Sequence, residues 1–131
     1  MKKLQRNIKV LIVEPNKLPY EKIIPNRLKD KQNIVGGMIE YARVDNDESS
    51  LLICNEEGKI LGLDWNREIG HGDVIAGTFL IVGDDPNIGE DRSLTNEQIE
   101  KYKKRFDKES IKKTEMVLLE NMLKNNKDIE I

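Results

Sequence analysis

Two long runs of apolar, mostly β-branched residues limit the folds that this chain can adopt. The first, IKVLIVEP, spans residues 8–15, and the second, VIAGTFLIVG, spans residues 74–83. A strand with one face in water alternates apolar and polar residues, whereas unbroken runs of this kind are typical of strands that are covered on both faces. We therefore expect both runs to form central strands of a sheet.

Weaker local signals predict the elements that follow the first run. Residues 20–24 fit a short strand between two prolines. Asn26 is suited to cap the start of a short helix, and the Gly36-Gly37 pair is suited to end it. The segments MIEYARV, residues 38–44, and LLIC, residues 51–54, then read as two strands of a hairpin.

The middle of the chain is predicted as a turn, a strand and a loop. NEEG, residues 55–58, suits a turn because the Asn55 side chain can bond the backbone two residues on and Gly58 can adopt a positive φ. KILGL, residues 59–63, reads as another strand, and residues 64–73 read as a loop.

The last third of the chain is helical. Thr95 and Gln98 have the spacing of a capping box. The apolar face of the helix that follows comprises Ile99, Tyr102 and Phe106. The helical phase is lost at residues 107–110, where we expect a kink or a break.

A second apolar stripe follows this break. Its members are Ile111, Val117, Leu118, Leu119 and Met122. A stripe of this width suits either packing on the core or a seam for a partner helix, including the same helix of a second copy. The sequence leaves core packing, a partner protein and a homo-oligomer open.

These signals predict a single α+β domain over residues 1–106 and a C-terminal helical extension over residues 107–131. The fold should contain a small mixed β-sheet of about five strands, one short helix and a long or broken C-terminal helix. A chain of 131 residues suits one hydrophobic core.

Charge and cysteine content narrow the class of protein. The chain has 22 Lys and Arg against 24 Asp and Glu, so it lacks a broad positive field and we do not expect nucleic-acid binding. A single cysteine, Cys54, cannot form an intrachain disulfide and fits the reducing cytoplasm.

The start of the chain imitates a signal peptide, but its apolar run stops at Glu14-Pro15, so we read it as a strand. No apolar segment approaches the roughly 18 residues that a membrane span needs.

Groups that could carry catalysis are sparse. His71 is the only histidine, so one chain cannot build a Ser-His-Asp triad or a multi-histidine metal site. Cys54 lies in an apolar run, where a buried thiol is inert. No phosphate-binding loop or nucleophile elbow occurs in the sequence. We therefore expect no enzymatic activity, no metal and no cofactor.

The most informative polar cluster consists of Asn55, Trp65, Asn66 and Arg67. The guanidinium of Arg67 can grip a phosphate or a carboxylate, and Trp65 offers a face on which a base can stack. The two carboxamides can donate and accept hydrogen bonds at a nucleobase edge. We predict that these side chains converge on a recess for a small polar, nucleotide-like ligand. Each also has an ordinary alternative, since Trp65 can fill the core, Asn55 can set a turn and Arg67 can pair with a neighbouring carboxylate.

The order of several short motifs resembles the bacterial and phage family catalogued as domain of unknown function 3846. The motifs are KVLIVEP, IVGG, CNEEGKILGL, IAGTFLIVG and SLTNEQIEKY, within about residues 8–106. The resemblance implies a protein encoded by a phage or mobile genetic element, and it implies no particular activity. It also favours a functional surface at the recurrent polar segment that includes Asn55–Lys59, Asn66 and Arg67.

Together, the residues and the resemblance lead to two functional hypotheses. The first is a non-enzymatic cytoplasmic binding protein of a phage or mobile genetic element, with a counter-defence or host-modulating role, which sequesters a nucleotide-like ligand. The alternative is a protein–protein interaction module that modulates a host or phage protein through its C-terminal helices.

Overall fold

The computed structural model of the protein describes residues 6–129, with side chains through residue 125. The first five residues, which begin the stretch that imitates a signal peptide, lie outside the described residues, as do residues 130 and 131. The elements in chain order are β1 (Asn7–Val13), β2 (Tyr20–Pro25), α1 (Leu28–Val35), β3 (Ile39–Ala42), β4 (Ser50–Asn55), β5 (Trp65–Glu68), β6 (Val74–Ala76), β7 (Phe79–Asp85), β8 (Glu90–Arg92), α2 (Asn96–Arg105) and α3 (Lys108–Ile129).

The main sheet has six strands in the order β2-β1-β7-β4-β3, with β8 paired to β7, and β5 and β6 form a separate two-stranded sheet. The α+β class is confirmed, and β1 and β7 are interior strands, as the two apolar runs predict. Every described pairing is antiparallel, so the expectation of a mixed sheet is wrong. Parallel neighbours need a crossover connection, and the one helix placed as a crossover, α1, joins β2 and β3 at opposite edges of the sheet.

Alternate residues of β1 and β7 supply two hydrophobic clusters on opposite faces of the sheet. The cluster on the α1 face includes Ile8, Val10, Ile12, Ile24, Val35, Ile53, Leu80 and Val82. The cluster on the α2 face includes Leu11, Val13, Leu52, Phe79, Ile81, Ile99, Tyr102 and Phe106. Because side chains alternate along a strand, the unbroken apolar runs are explained by the presence of a covering layer on each face.

The signals at the helix ends are confirmed for α2 and in part for α1. Thr95 and Gln98 form the reciprocal capping box, and Gly36 ends α1 in the left-handed conformation at φ 79°. The expected cap Asn26 is wrong, because α1 begins after Arg27 without a side-chain cap. The Asn26 carboxamide instead accepts from Lys31 Nζ at 2.9 Å.

The middle of the chain differs most from expectation. Residues 59–63 do not form the predicted strand, because residues 56–62 form a series of turns in which the amide of Leu61 donates to the Glu57 carbonyl at 2.8 Å. The predicted loop contains β5, and the second apolar run is divided at Gly77, which has φ 89°. A Cβ at Gly77 would lie 2.7 Å from the Leu63 side chain, so the division between β6 and β7 depends on a glycine there.

The predicted break between the two C-terminal helices is confirmed at residues 106 and 107. The start of α3 packs on β5, with Ser110 and Thr114 buried. Beyond Leu118, every side chain of α3 through residue 125 is exposed. The helix therefore has a docked part and a part that projects from the body.

Candidate functional site

Arg67 lies where β5 meets the α2–α3 junction and the loop between β1 and β2. Its side chain is 0% exposed. Its Nε donates to Ser110 Oγ at 2.8 Å, and its Nη2 donates to the carbonyl oxygens of Lys17 at 2.7 Å and Phe106 at 3.1 Å. Burial lowers the pKa of the guanidinium, and the nearby Asp107 carboxylate opposes that shift. Arg67 is thus an internal connector of three chain segments.

Asn66 extends this internal network. Its Oδ1 accepts from Arg67 Nη1 at 3.0 Å, and its Nδ2 donates to the carbonyl oxygens of Val13 at 2.8 Å and Gly77 at 2.9 Å. The strand pairing is irregular between Trp65 and Arg67, and such an irregularity redirects side chains. Both Asn66 and Arg67 consequently point inward, although they are neighbours in a strand.

Glu68 completes a run of three buried polar residues. Burial alone would raise the pKa of its carboxyl, but the Gly72 amide and the cations of Arg105 and Lys113 hold that pKa below its usual value. Arg105 Nη2 donates to Glu68 Oε1 at 2.9 Å, and the Glu68 amide donates to Thr114 Oγ1 at 2.9 Å. The three residues therefore attach β5 to both α2 and α3.

Asn55 lies in a different environment, at the end of β4. Its Oδ1 accepts from the Glu57 amide at 2.8 Å, and its Nδ2 donates to the Val35 carbonyl at 3.1 Å. The first contact is the turn bond that the NEEG motif predicts. Trp65 is 47% exposed at the start of β5, so it does not fill the core.

The structure therefore brings together only two of the four predicted site residues. Asn66 and Arg67 touch each other inside the protein, where their polar atoms bond protein atoms. The expectation that Asn55, Asn66 and Arg67 converge on one open recess is not met. Burial of the Arg67 guanidinium could not be read from sequence because its partners other than Asn66 lie 39 to 50 residues away.

A recess of about 300 Å³ lies between the β3–β4 hairpin, the turn after β4 and the start of β6. Its floor comprises the buried residues Cys54, Ile75 and Ala76, and its rim comprises the exposed residues Glu40, Glu56, Lys59 and Asp73. Asn55 also lines it, whereas Trp65, Asn66 and Arg67 do not. Sequence reasoning missed this recess because its walls come from three segments that are distant along the chain.

Cys54 contributes an unreactive thiol to the floor of the recess. Burial, reinforced by the carboxylates of Glu40 and Asp73, raises the pKa of its thiol to about 11. The thiol is therefore protonated at neutral pH, when a thiolate would be needed for nucleophilic attack. His71 lies outside the recess, with its Nε2 3.0 Å from Asn46 Nδ2.

The projecting part of α3 is the most apolar exposed surface of the described C-terminal third. Four large side chains of this part and of the turn just before it are more than half exposed: Met116, Leu119, Met122 and Leu123. At about 100° per residue they occupy an arc of roughly 120° on one side of the helix. Ser110 and Thr114, which contact β5, lie on a different side.

The fold and these surfaces define a small α+β protein with an antiparallel sheet covered on both faces and a last helix that extends from the body. The chain belongs to the family of the domain of unknown function (DUF3846), whose model matches residues 8–107. The match begins in β1 and ends just before α3. No curated protein and no solved structure matches the chain significantly.

Two further findings concern the described residues. None of the helices found between residues 6 and 129 has the combination of length and apolar character that crossing a bilayer requires. Within the same range, no group of three or more His, Cys, Asp or Glu residues is arranged to hold a metal ion.

Proposed function

We propose that this protein is a non-enzymatic protein-binding module that engages a partner through the projecting part of α3. The observation that carries this proposal is the stripe of Met116, Leu119, Met122 and Leu123, each more than half exposed to water. Contiguous apolar surface of this kind on a soluble domain is characteristic of interaction sites.

The spacing of the stripe indicates the chemistry of the partner. Met116, Leu119 and Leu123 are separated by three and four residues, which is the spacing of anchors that an amphipathic helix inserts into an apolar groove. The polar residues beside them, Glu120 and Lys124, have opposite charges. We therefore infer that the partner presents an apolar groove with a nearly neutral rim, about two helical turns long.

The geometry favours this function over sequestration of a nucleotide-like ligand. Arg67 and Asn66 bond protein atoms, and the rim of the open recess has three carboxylates and one ammonium group. Such a rim repels phosphate. Encoding by a phage or mobile genetic element, a cytoplasmic location and a counter-defence or host-modulating role remain part of the proposal, on the basis of family resemblance.

The test compares two double variants of the same helix. Leu119→Ser with Leu123→Ser removes two anchors, whereas Glu120→Ser with Lys124→Ser makes the same change to serine on the polar side. A partner captured from a bacterial lysate is purified and its affinity for each variant is measured by calorimetry. We expect the anchor variant to lose at least about tenfold in affinity and the control to bind like the wild type.

Two outcomes would overturn the proposal. One is equal affinity of the purified partner for both double variants. The other is a wild-type chain that sediments as a dimer while the anchor variant sediments as a monomer, because the stripe would then be a seam between two copies. Both double variants should melt at the wild-type temperature, since all four side chains are exposed.

A further inference from the structure

The recess between β3, the turn after β4 and β6 has an excess of negative charge at its rim. Glu40, Glu56 and Asp73 are acidic and Lys59 is the one basic lining residue, which gives three negative charges against one positive charge. Asp73 Oδ1 lies 3.2 Å from Lys59 Nζ. Glu40 and Glu56 form neither an ion pair nor a side-chain hydrogen bond with any residue between 6 and 125.

The floor of the recess has the opposite character. Cys54, Ile75 and Ala76 are buried and form an apolar surface beneath the carboxylates. A fully hydrated inorganic cation would leave this floor in contact with water. An aliphatic chain of a few methylene groups would cover the floor and place a positive head group beside the carboxylates, in the way that lysine side chains lie on apolar surface.

The volume of the recess suits a ligand of this kind. About 300 Å³ lies at the small end of the range of known ligand pockets. The turn that forms one wall is held tightly, because a Cβ at Gly58 would lie 2.5 Å from the Ala76 carbonyl oxygen. The Gly58 amide also donates to the Asn55 carbonyl at 3.2 Å. The wall is therefore formed before any ligand arrives.

We propose that this recess binds an organic cation with a short aliphatic stem, either a free alkylamine or the side chain of a lysine in a partner protein. The stem lies on Cys54, Ile75 and Ala76, and the ammonium group lies beside Glu40 and Glu56. This site is separate from the stripe on α3 and does not depend on it.

Lys59 carries the one positive charge among the lining residues, so it repels an incoming cation. Its ammonium group pairs with Asp73 at the mouth, and both side chains are more than half exposed. Such exposed pairs contribute little to stability and exchange readily. Removal of the Lys59 ammonium should therefore raise the affinity for an incoming cation, an effect that a purely structural role of Lys59 would not produce.

The test is an NMR titration of the full chain with three unbranched probes of four carbon atoms each. These are n-butylammonium, n-butanol and butanoate, which differ in the charge and type of the head group. We expect n-butylammonium to shift the amide signals of Cys54, Gly58 and Ala76, with much smaller shifts for butanol and none for butanoate.

Charge variants of the rim complete the test. Glu40→Gln with Glu56→Gln should weaken n-butylammonium binding by about fivefold or more at low salt. Glu57→Gln is the matched control, because Glu57 is exposed in the same turn but does not line the recess, and it should bind like the wild type. Lys59→Ala should bind several-fold tighter.

A second pair of probes distinguishes the two sources of the cation. Tighter binding of an acetylated, amidated lysine than of n-butylammonium identifies a partner's side chain, and the reverse order identifies a free amine. The proposal is overturned if butanoate shifts the same amides as n-butylammonium, if none of the probes shifts them, or if the Glu40→Gln with Glu56→Gln variant retains wild-type affinity.

Discussion

At the residue scale, the polar run Asn66–Glu68 shows how a strand can join helices that arrive later in the chain. Each of the three side chains is buried, and together they contact the β1–β2 loop, α2 and α3. Arginine is rarely buried without partners, so the sequence favoured a ligand-binding role for Arg67. Arg67 can be buried because Lys17, Phe106 and Ser110, which are distant along the chain, provide hydrogen-bond acceptors in the folded protein.

Replacing Arg67 with alanine should destabilise the protein. The carbonyl oxygens of Lys17 and Phe106 and the Oδ1 of Asn66 would each lose a buried donor, and we expect the free energy of unfolding to fall by at least about 3 kcal/mol. Urea unfolding checks this value. Arg27→Ala is the control, since Arg27 is exposed and forms an exposed ion pair with Asp30 in the same helical turn, and it should change stability by less than about 0.5 kcal/mol. Retention of wild-type stability by Arg67→Ala would contradict the connector role.

Asp47 should make the protein sensitive to acid. Burial would raise the pKa of its carboxyl, but hydrogen bonds from Lys101, Tyr102 and Ser49 hold it well below its usual value. A carboxyl with a depressed folded-state pKa stabilises the fold above its unfolded pKa of about 3.9 and loses that contribution as the pH falls through the folded value.

We therefore expect the urea midpoint to fall between neutral pH and about pH 3, and to fall less in Asp47→Asn. The measurement is urea unfolding of both proteins at the two pH values. Asp64→Asn serves as the control because Asp64 is exposed, and it should keep the wild-type pH dependence. An identical pH dependence in Asp47→Asn and the wild type would show that other carboxyls are responsible.

At the scale of secondary-structure elements, α3 consists of two parts that differ in burial. Its first turns carry Ser110 and Thr114, which satisfy Arg67 Nε and the Glu68 amide. Its later turns expose the apolar stripe. The division of the chain after residue 106 into a domain and an extension remains a prediction, but the docked turns belong structurally to the body.

Two truncations separate these parts of α3. Removal of the chain after Leu118 should leave the fold intact and lower stability by less than about 1 kcal/mol, because the side chains of residues 119–125 are all exposed. Removal after Phe106 also removes Ser110 and Thr114, and it should lower stability by about 3 kcal/mol or more because buried donors lose their acceptors. Urea unfolding and amide NMR spectra measure both effects. Equal stability of the two truncated chains would contradict the docking of α3 on β5.

Local chemistry explains which elements were predictable from sequence. The capping box of Thr95 and Gln98 and the left-handed Gly36 are each defined within a few residues, so both were found. The turns at 59–63 imitate a strand because they carry exposed apolar residues, including Ile60 and Leu61. The strand β5 was missed because its polar residues are buried by partners from elsewhere in the chain.

At the scale of the whole molecule, one sheet supports both hydrophobic clusters. Strands β1, β4 and β7 contribute side chains to each face, so neither cluster exists without the other. The two apolar runs predicted this arrangement, because a doubly covered sheet requires such strands. They could not predict strand order, the antiparallel pairings or the recess, which depend on how distant segments meet.

The shared strands predict a single unfolding transition. Phe79 and Leu80 are adjacent in β7 but belong to opposite clusters. Phe79→Ala and Leu80→Ala should each lower stability by about 3 kcal/mol without separating the transition into steps. Trp65 fluorescence follows the small β5–β6 sheet, and far-ultraviolet circular dichroism follows the whole chain. Midpoints that differ between the two signals would show that the small sheet unfolds independently.

The buried guanidinium of Arg67 also has a consequence for the order of assembly. Until the loop at Lys17 and the helix junction at Phe106 and Ser110 have both arrived, closing β5 onto the sheet would trap a charge without acceptors, at a cost of several kcal/mol. Partly folded forms in which Arg67 is buried without these acceptors are therefore high in free energy. We therefore expect the buried cation to delay dehydration of this corner until the correct segments are present.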